Sequence, residues 1–220
     1  MDDIRAMIDN MFLLFEGIGN NCEFGIVQRH FRCDPPGLFR NVGFLAPDIM
    51  SLIIEKSLDG LFDNGSYEFT LPDGWRDWRL DSQGFMFHTG IPASVVLGSD
   101  EWEKKSAEVL RAHGFLRRVF REELLKADKI FVYRQKQPLP IEALQRLHSA
   151  IRRHGPGWLL NVVEDPSKPA GTVEQIGDGL IRATTSVLSN EDPPNINFEA
   201  WEMIVRKALT IKESAGGDVI

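Results

Sequence analysis

Short apolar runs and amphipathic stretches, divided by clusters of Gly, Pro, Asn and Asp, alternate along the chain in the manner of a layered α/β protein. Residues 4–10 suit a short lead-in helix, and Phe12-Leu13-Leu14-Phe15-Glu16 reads as a buried strand. Gly17 and Gly19 then permit a tight turn into a helix from Cys22 to Arg32. Phe24, Val27 and Phe31 give that helix one apolar face, while Glu23, Arg29 and Arg32 fall off it. Cys33-Asp34-Pro35-Pro36-Gly37 ends it, because two prolines and a glycine cannot continue a helix. A second helix is expected from Pro47 to Leu58, with Gly60 closing it.

The middle of the chain changes period. Tyr67, Phe69 and Leu71 alternate with polar residues, Pro72-Asp73-Gly74 makes a turn, and Trp75 to Leu80 follows; after Asp81-Ser82-Gln83-Gly84 comes Phe85-Met86-Phe87-His88-Thr89. These are antiparallel strands, an insertion near 67–90, in which His88 and Met86 face one side while Phe85, Phe87 and Thr89 face the other. Asp100 to Ala127 is helical, with Gly114 expected to interrupt or kink it. The strand Lys129–Tyr133, the helix Ile141–His154 and the strand Trp158–Val163 form a βαβ unit. Gly179–Thr184 adds a further strand, and Asn197 caps a terminal helix to Leu209. The expected fold is thus α/β, a layered domain with a mainly parallel central sheet. One domain over residues 1–212 is expected, with a loose tail at 213–220.

Composition narrows the function classes. A net charge of −7 and a pI of about 5.3 argue against general nucleic-acid binding, which needs an excess of Lys and Arg on one face. The acidic start Met1-Asp2-Asp3-Ile4-Arg5 lacks the form of an export signal, and no apolar run approaches the length of a membrane span. Cys22 and Cys33 are separated by one predicted helix, which places them beyond disulfide reach. These features lead us to expect a cytoplasmic protein in a reducing compartment.

The candidate chemistry centres on Cys22. It lies where a strand turns into a helix, at the carboxyl end of the first predicted strand, the edge on which open α/β sheets place their ligands. Unpaired N–H groups at a helix N-terminus favour a thiolate and can hold an oxyanion. Packing as a small buried hydrophobe is the alternative. A thiol nucleophile needs a base, and His88 is the candidate, on a strand between aromatic residues and beside a glycine-containing turn. His30 shares the helix of Cys22 but lies about 12 Å along its axis. His113, His148 and His154 accompany arginines on amphipathic helices and read as solvated surface residues. The backbone after Gly19, with Asn20 or Asn21, is the candidate oxyanion site, although both asparagines are also good turn residues. Asp77 and Asp81 are near His88 in sequence, but strand register leaves the orienting residue open. No metal-ligand spacing occurs and no cofactor is expected; Gly17-x-Gly19 lacks the third glycine of a dinucleotide loop. The arginines at 29, 32, 40, 117, 118 and 121 suit solvated helix faces or an anion.

Through Phe15-Glu16-Gly17-Ile18-Gly19-Asn20-Asn21-Cys22-Glu23-Phe24-Gly25, Phe87-His88 and the stretch from Phe115 to Tyr133, the chain resembles a bacterial family of unknown function described as papain-like cysteine peptidases. Gly-x-Asn-Cys is the specific part of the match. Members often accompany glycosyltransferase and surface-polysaccharide genes. The resemblance implies Cys22 as nucleophile, His88 as base, and a glycan, peptide or other small-molecule substrate. It also implies a papain-like α+β fold as the alternative architecture. The predicted βαβ unit departs from that topology, and Thr89, Gly90, Ile91 and Pro92 supply no Asn or Asp of the kind the family places after its histidine strand. The expected function is a cysteine-dependent hydrolase or acyl transferase in surface-glycan metabolism, the alternative a non-catalytic sugar- or anion-binding module.

Overall fold

Nine strands form two sheets in the computed structural model, which describes residues 10–20, 22–40, 42–43, 45–61, 66–70, 74–80, 85–188 and 195–216. The central sheet has the order β1-β6-β7-β9-β8, built from β1 (Phe15–Gly17), β6 (Ile130–Gln135), β7 (Trp158–Glu164), β8 (Thr172–Gly177) and β9 (Leu180–Thr185). Its first four strands run parallel, and β8 closes the edge as an antiparallel hairpin partner of β9. The second sheet, ordered β2-β5-β4-β3, is antiparallel and comprises β2 (Val42–Gly43), β3 (Ser66–Thr70), β4 (Trp75–Leu80) and β5 (Phe85–Pro92). The mixed architecture and the antiparallel insertion are those expected from the sequence.

The helices are α1 (Glu23–His30), α2 (Pro47–Glu55), α3 (Asp100–Lys126), α4 (Ile141–Arg152) and α5 (Phe198–Gly216). Alternate residues of the buried strands serve opposite cores, as the two-residue strand period requires. Ile130, Val132, Leu160 and Ile181 pack with Phe24 and Val27 of α1 and Trp201 and Ile204 of α5. Phe131, Tyr133 and Leu159 pack on the other face with α2, α3 and α4. Trp78 and Phe87 of the second sheet enter this second core, their rings stacked at 5.4 Å.

Several elements differ from expectation for identifiable reasons. Phe12–Leu14 is a 3-10 turn and the strand begins only at Phe15. Phe12 stacks on Phe31 with ring centroids 4.4 Å apart, while Leu13 and Leu14 are exposed, so the apolar run does not serve one strand. Gly114 does not break α3, which runs unbroken through 27 residues. A cost of about 1 kcal/mol for one glycine is small beside the burial of Trp102, Phe120 and Leu124 on the same helix. Strand β8 was not predicted, although the two-residue turn Asp178-Gly179 that joins it to β9 is a hairpin signal. Asn197 caps α5 by accepting from Ala200 N at 3.0 Å, and the helix continues through Gly216, into the segment expected to be loose. The lead-in helix at 4–10 falls, apart from Asn10, outside the described residues.

One long-range bond ties the central sheet to the connection that follows β2, near the candidate site. The buried Tyr133 of β6 donates its hydroxyl hydrogen to Leu45 O at 2.9 Å, and burial raises the pKa of the phenol. Tyr133→Phe removes the donor and leaves that carbonyl unpaired, so urea denaturation should show a loss of about 1–3 kcal/mol with the fold retained.

Candidate functional site

Parallel pairing of only three residues delivers the candidate turn to its place. Phe15, Glu16 and Gly17 pair with Ile130, Phe131 and Val132, and Ile18 N then donates to Val132 O at 2.9 Å. The chain leaves the sheet at Gly19, with φ of 120°, and Asn20, with φ of 73°. A side chain at Gly19 would be strained by that φ, although its Cβ would make only ordinary contact with Leu45 and Met50, so it is the backbone conformation that favours glycine there. Asn20 adopts the left-handed conformation that asparagine tolerates. Asn21 lies outside the described residues.

Cys22 follows as the N-cap of α1, half-buried and free. Its thiol does not cap the helix, while its carbonyl accepts from Ile26 N at 3.1 Å. The N–H groups of Glu23, Phe24 and Gly25 therefore belong to a first turn that has no intrahelical acceptors. Cys33 is not in a disulfide either and is buried, 4% exposed, within the α1–α5 core.

Buried carboxyl groups flank this turn on both sides. Glu16 is 3% exposed and lies beside Lys129, which it meets at 3.3 Å, with Glu123 of α3 on the same lysine. Burial first, then the charge of Glu123, pushes the Glu16 carboxyl up to about 8, against the opposing pull of Lys129 and Arg40. Lys129 stays firmly cationic: its two carboxyl neighbours outweigh the effect of its own burial. On the other side of the turn, Glu23 is 1% exposed and paired with Arg134 at 2.9 Å. The sequence placed Glu23 off the buried face of its helix; the structure buries it because a cation from β6 waits there.

Arg40 spans the remaining side. It donates to Pro35 O at 2.7 Å and Gly25 O at 3.2 Å, and pairs with Asp34. A Cβ on Gly25 would lie 2.8 Å from Arg40 Cγ, so glycine there lets the guanidinium lie across α1. Glu16, Gly17, Gly19, Gln28 and Arg40 line a narrow cleft with a cavity volume of about 10 Å³, room for about one water molecule.

His88 stands on the second sheet. Its Nδ1 lies 2.8 Å from Asp77 Oδ1; the imidazole is half-exposed, whereas Asp77 is 2% exposed. An ionised carboxylate only accepts, so Nδ1 donates and Nε2 is left as the acceptor. A bulge makes this contact. Arg76 pairs with Ile91 but Asp77 pairs with His88, so Thr89 and Gly90 are extra residues in β5, with Gly90 at φ of 71°. The second carboxylate oxygen, Oδ2, is buried with no partner among the described residues.

The other histidines are not the solvated surface residues expected. His148 is 8% exposed and donates to Gly157 O, His154 donates to Ile54 O, and His113 lies 4.0 Å from the Phe87 ring while donating to Val109 O. Burial lowers the pKa of both His113 and His148. His30 stacks on Phe198 at 3.8 Å.

The structure thus joins His88 to Asp77 and sets Gly19, Asn20 and Cys22 on one turn. No hydrogen bond links Cys22 to His88 among the described residues. They are related through the segment from Val42 to Met50, whose start pairs with Phe87 and Met86 and whose Leu45 and Met50 lie against Gly19. Asp77 was weighed from the sequence but not placed, since the bulge that aligns it leaves only Gly90 as a trace. The partnership of Glu23 with Arg134 and Trp201 was missed outright. Comparison with protein-family models, with curated proteins and with solved structures finds no match.

Glu16 gives a pH prediction. Its pKa is about 8 in the folded state against 4.5 for a free glutamate, so between these values the folded chain holds a proton that the unfolded chain has released. Its contribution to stability is fully present below pH 4.5 and is lost as pH rises through about 8. Glu16→Gln should remove this part of the pH dependence and raise the melting temperature above wild type at pH 8.5 but not at pH 4.5, by scanning calorimetry. Parallel melting-temperature profiles for the two proteins would refute the assignment.

Proposed function

We propose that the chain is a cysteine-dependent hydrolase or acyl transferase in which Cys22 is the nucleophile and His88 the base. The observation that carries this reading is the Asp77–His88 pair: a buried carboxylate fixing the tautomer of a half-exposed imidazole. A histidine that only packed would need no such partner. The sequence resemblance to papain-like cysteine peptidases supports the same two residues, and the position of Cys22 beyond the carboxyl end of β1 supports the turn as the site.

In the proposed reaction the Cys22 proton passes to His88 Nε2 as sulfur attacks a carbonyl carbon. The first-turn N–H groups, with Asn20 or Asn21, hold the resulting oxyanion. His88 then returns the proton to the leaving group as the tetrahedral intermediate collapses to a thioester. Water or an acceptor attacks the thioester, giving hydrolysis or acyl transfer respectively. Asp77 keeps Nδ1 protonated throughout and stabilises the imidazolium while it exists. Sulfur and Nε2 must come within about 3.5 Å for this, and such contacts commonly tighten only when substrate is bound. The resemblance adds the expectation of a glycan or peptide substrate in surface-glycan metabolism, and the sequence features that led us to expect a reducing compartment add that of a cytoplasmic setting. Among the described residues no helix is long and apolar enough to cross a membrane.

A second reading, a non-catalytic anion- or sugar-binding module, is favoured by the Arg40 guanidinium that lies against the first turn of α1. The two separate cleanly. As a nucleophile, Cys22 should react with a chloroacetamide far faster than Cys33, and His88→Ala should slow that reaction by about 10²–10⁴-fold. Equal, slow labelling of both thiols would sink the catalytic reading. For a binding module, Cys22→Ala keeps full biological activity.

A further inference from the structure

Three elements converge on the residue after Cys22. Glu23 Oε2 accepts from Arg134 Nε at 3.1 Å and Nη2 at 2.9 Å, and its Oε1 accepts from Trp201 Nε1 at 3.0 Å. Arg134 comes from β6 and is 2% exposed; Trp201 comes from α5 and is fully buried. The Trp201 ring also meets Phe24 at a centroid distance of 5.3 Å, so two successive residues of the first helical turn are held from above and from the side.

A buried ion pair is a poor means of stabilising a fold. Removing two charges from water offsets most of their attraction, and apolar replacements of similar volume are often neutral or stabilising. What the pair supplies, and apolar packing does not, is direction. Bonds to both carboxylate oxygens restrict Glu23 to one orientation, and the peptide preceding it is that of Cys22. Resting on the reading of Cys22 as nucleophile, we infer that Glu23, Arg134 and Trp201 are positioning residues, whose charge-assisted hydrogen bonds aim the Cys22 sulfur and the first-turn N–H groups of α1. Helix α5, far away in sequence, then sets the geometry of the thiol turn. A displacement of about 1 Å at such a turn is enough to lower a rate by about 10²-fold.

The test separates aim from stability. Two variants of the full chain are compared with wild type: Trp201→Phe, which keeps a ring but removes the donor, and the double replacement Glu23→Met with Arg134→Met. Readouts are the melting temperature, the chloroacetamide labelling rate of Cys22 relative to Cys33, and hydrogen exchange at the amides of residues 23–25. The expected result is a double variant that remains folded, its melting temperature lowered by no more than the unpaired Trp201 N–H accounts for, yet labels at Cys22 about tenfold or more slowly, with Trp201→Phe changed in the same direction. Labelling at the wild-type rate or faster in folded variants overturns the inference. Should the double variant not fold, Trp201→Phe decides alone. Should wild-type Cys22 label no faster than Cys33, it is the nucleophile reading that fails; faster exchange at residues 23–25 in Trp201→Phe then still upholds the clamp on the turn, and unchanged exchange overturns it.

Discussion

With 1% of its surface exposed, Glu23 has no water to satisfy its charge, so Arg134 and Trp201 must do so. That demand fixes more than one side chain. The strand β6 supplies the arginine, and its parallel pairing with β1 sets the point at which the chain leaves the sheet toward Cys22. The helix α5 supplies the indole, and its apolar face covers the sheet on the side that α1 shares. Loss of any one contact would leave a charge or a donor unpaired in the core, which makes the convergence cooperative. The candidate thiol, Cys22, is the residue immediately before Glu23.

The second sheet contributes differently. It buries Trp78 and Phe87 in the core beneath α3 and thereby turns Asp77 and His88 to its other face. Two extra residues in β5 bring the carboxylate and the imidazole opposite one another. The result is a histidine with one nitrogen committed to a carboxylate, on a sheet connected to the thiol turn through residues between Val42 and Met50. The half-exposed ring and half-buried thiol sit on separate supports. Tyr133 anchors the stretch between Val42 and Met50 through Leu45.

Much of the architecture is legible residue by residue. The β-branched and aromatic runs of β6 and β7, with the amphipathic α4 between them, declare a βαβ unit because parallel buried strands need apolar residues on both faces. Gly19 and Asn20 declare a turn because few other residues accept their positive φ, whereas Gly17, read as part of that turn, is the last residue of β1. Phe12 misled, since an apolar run carries no sign of whether successive residues serve one face or two. Gly114 misled because helix propensity is weak beside the burial of Trp102, Phe120 and Leu124. The histidines at 113, 148 and 154 misled because polar surroundings in sequence do not reveal a carbonyl acceptor brought by another element.

The sequence by itself determined the period of most elements, the turn that leads into Cys22 and the alternation that parts His88 from Phe87, because these depend on neighbours a few residues away. Only the tertiary structure decided which distant groups meet. Asp77 reaches His88 through a register shift, Glu16 shares Lys129 with Glu123, and Glu23 finds Arg134 and Trp201 across 111 and 178 residues of chain. Hydrogen bonds and ion pairs act over a few ångströms in space and carry no trace of their partners in local spacing. The cost of burying a lone charge guarantees that a partner exists, and only the packed fold says which one.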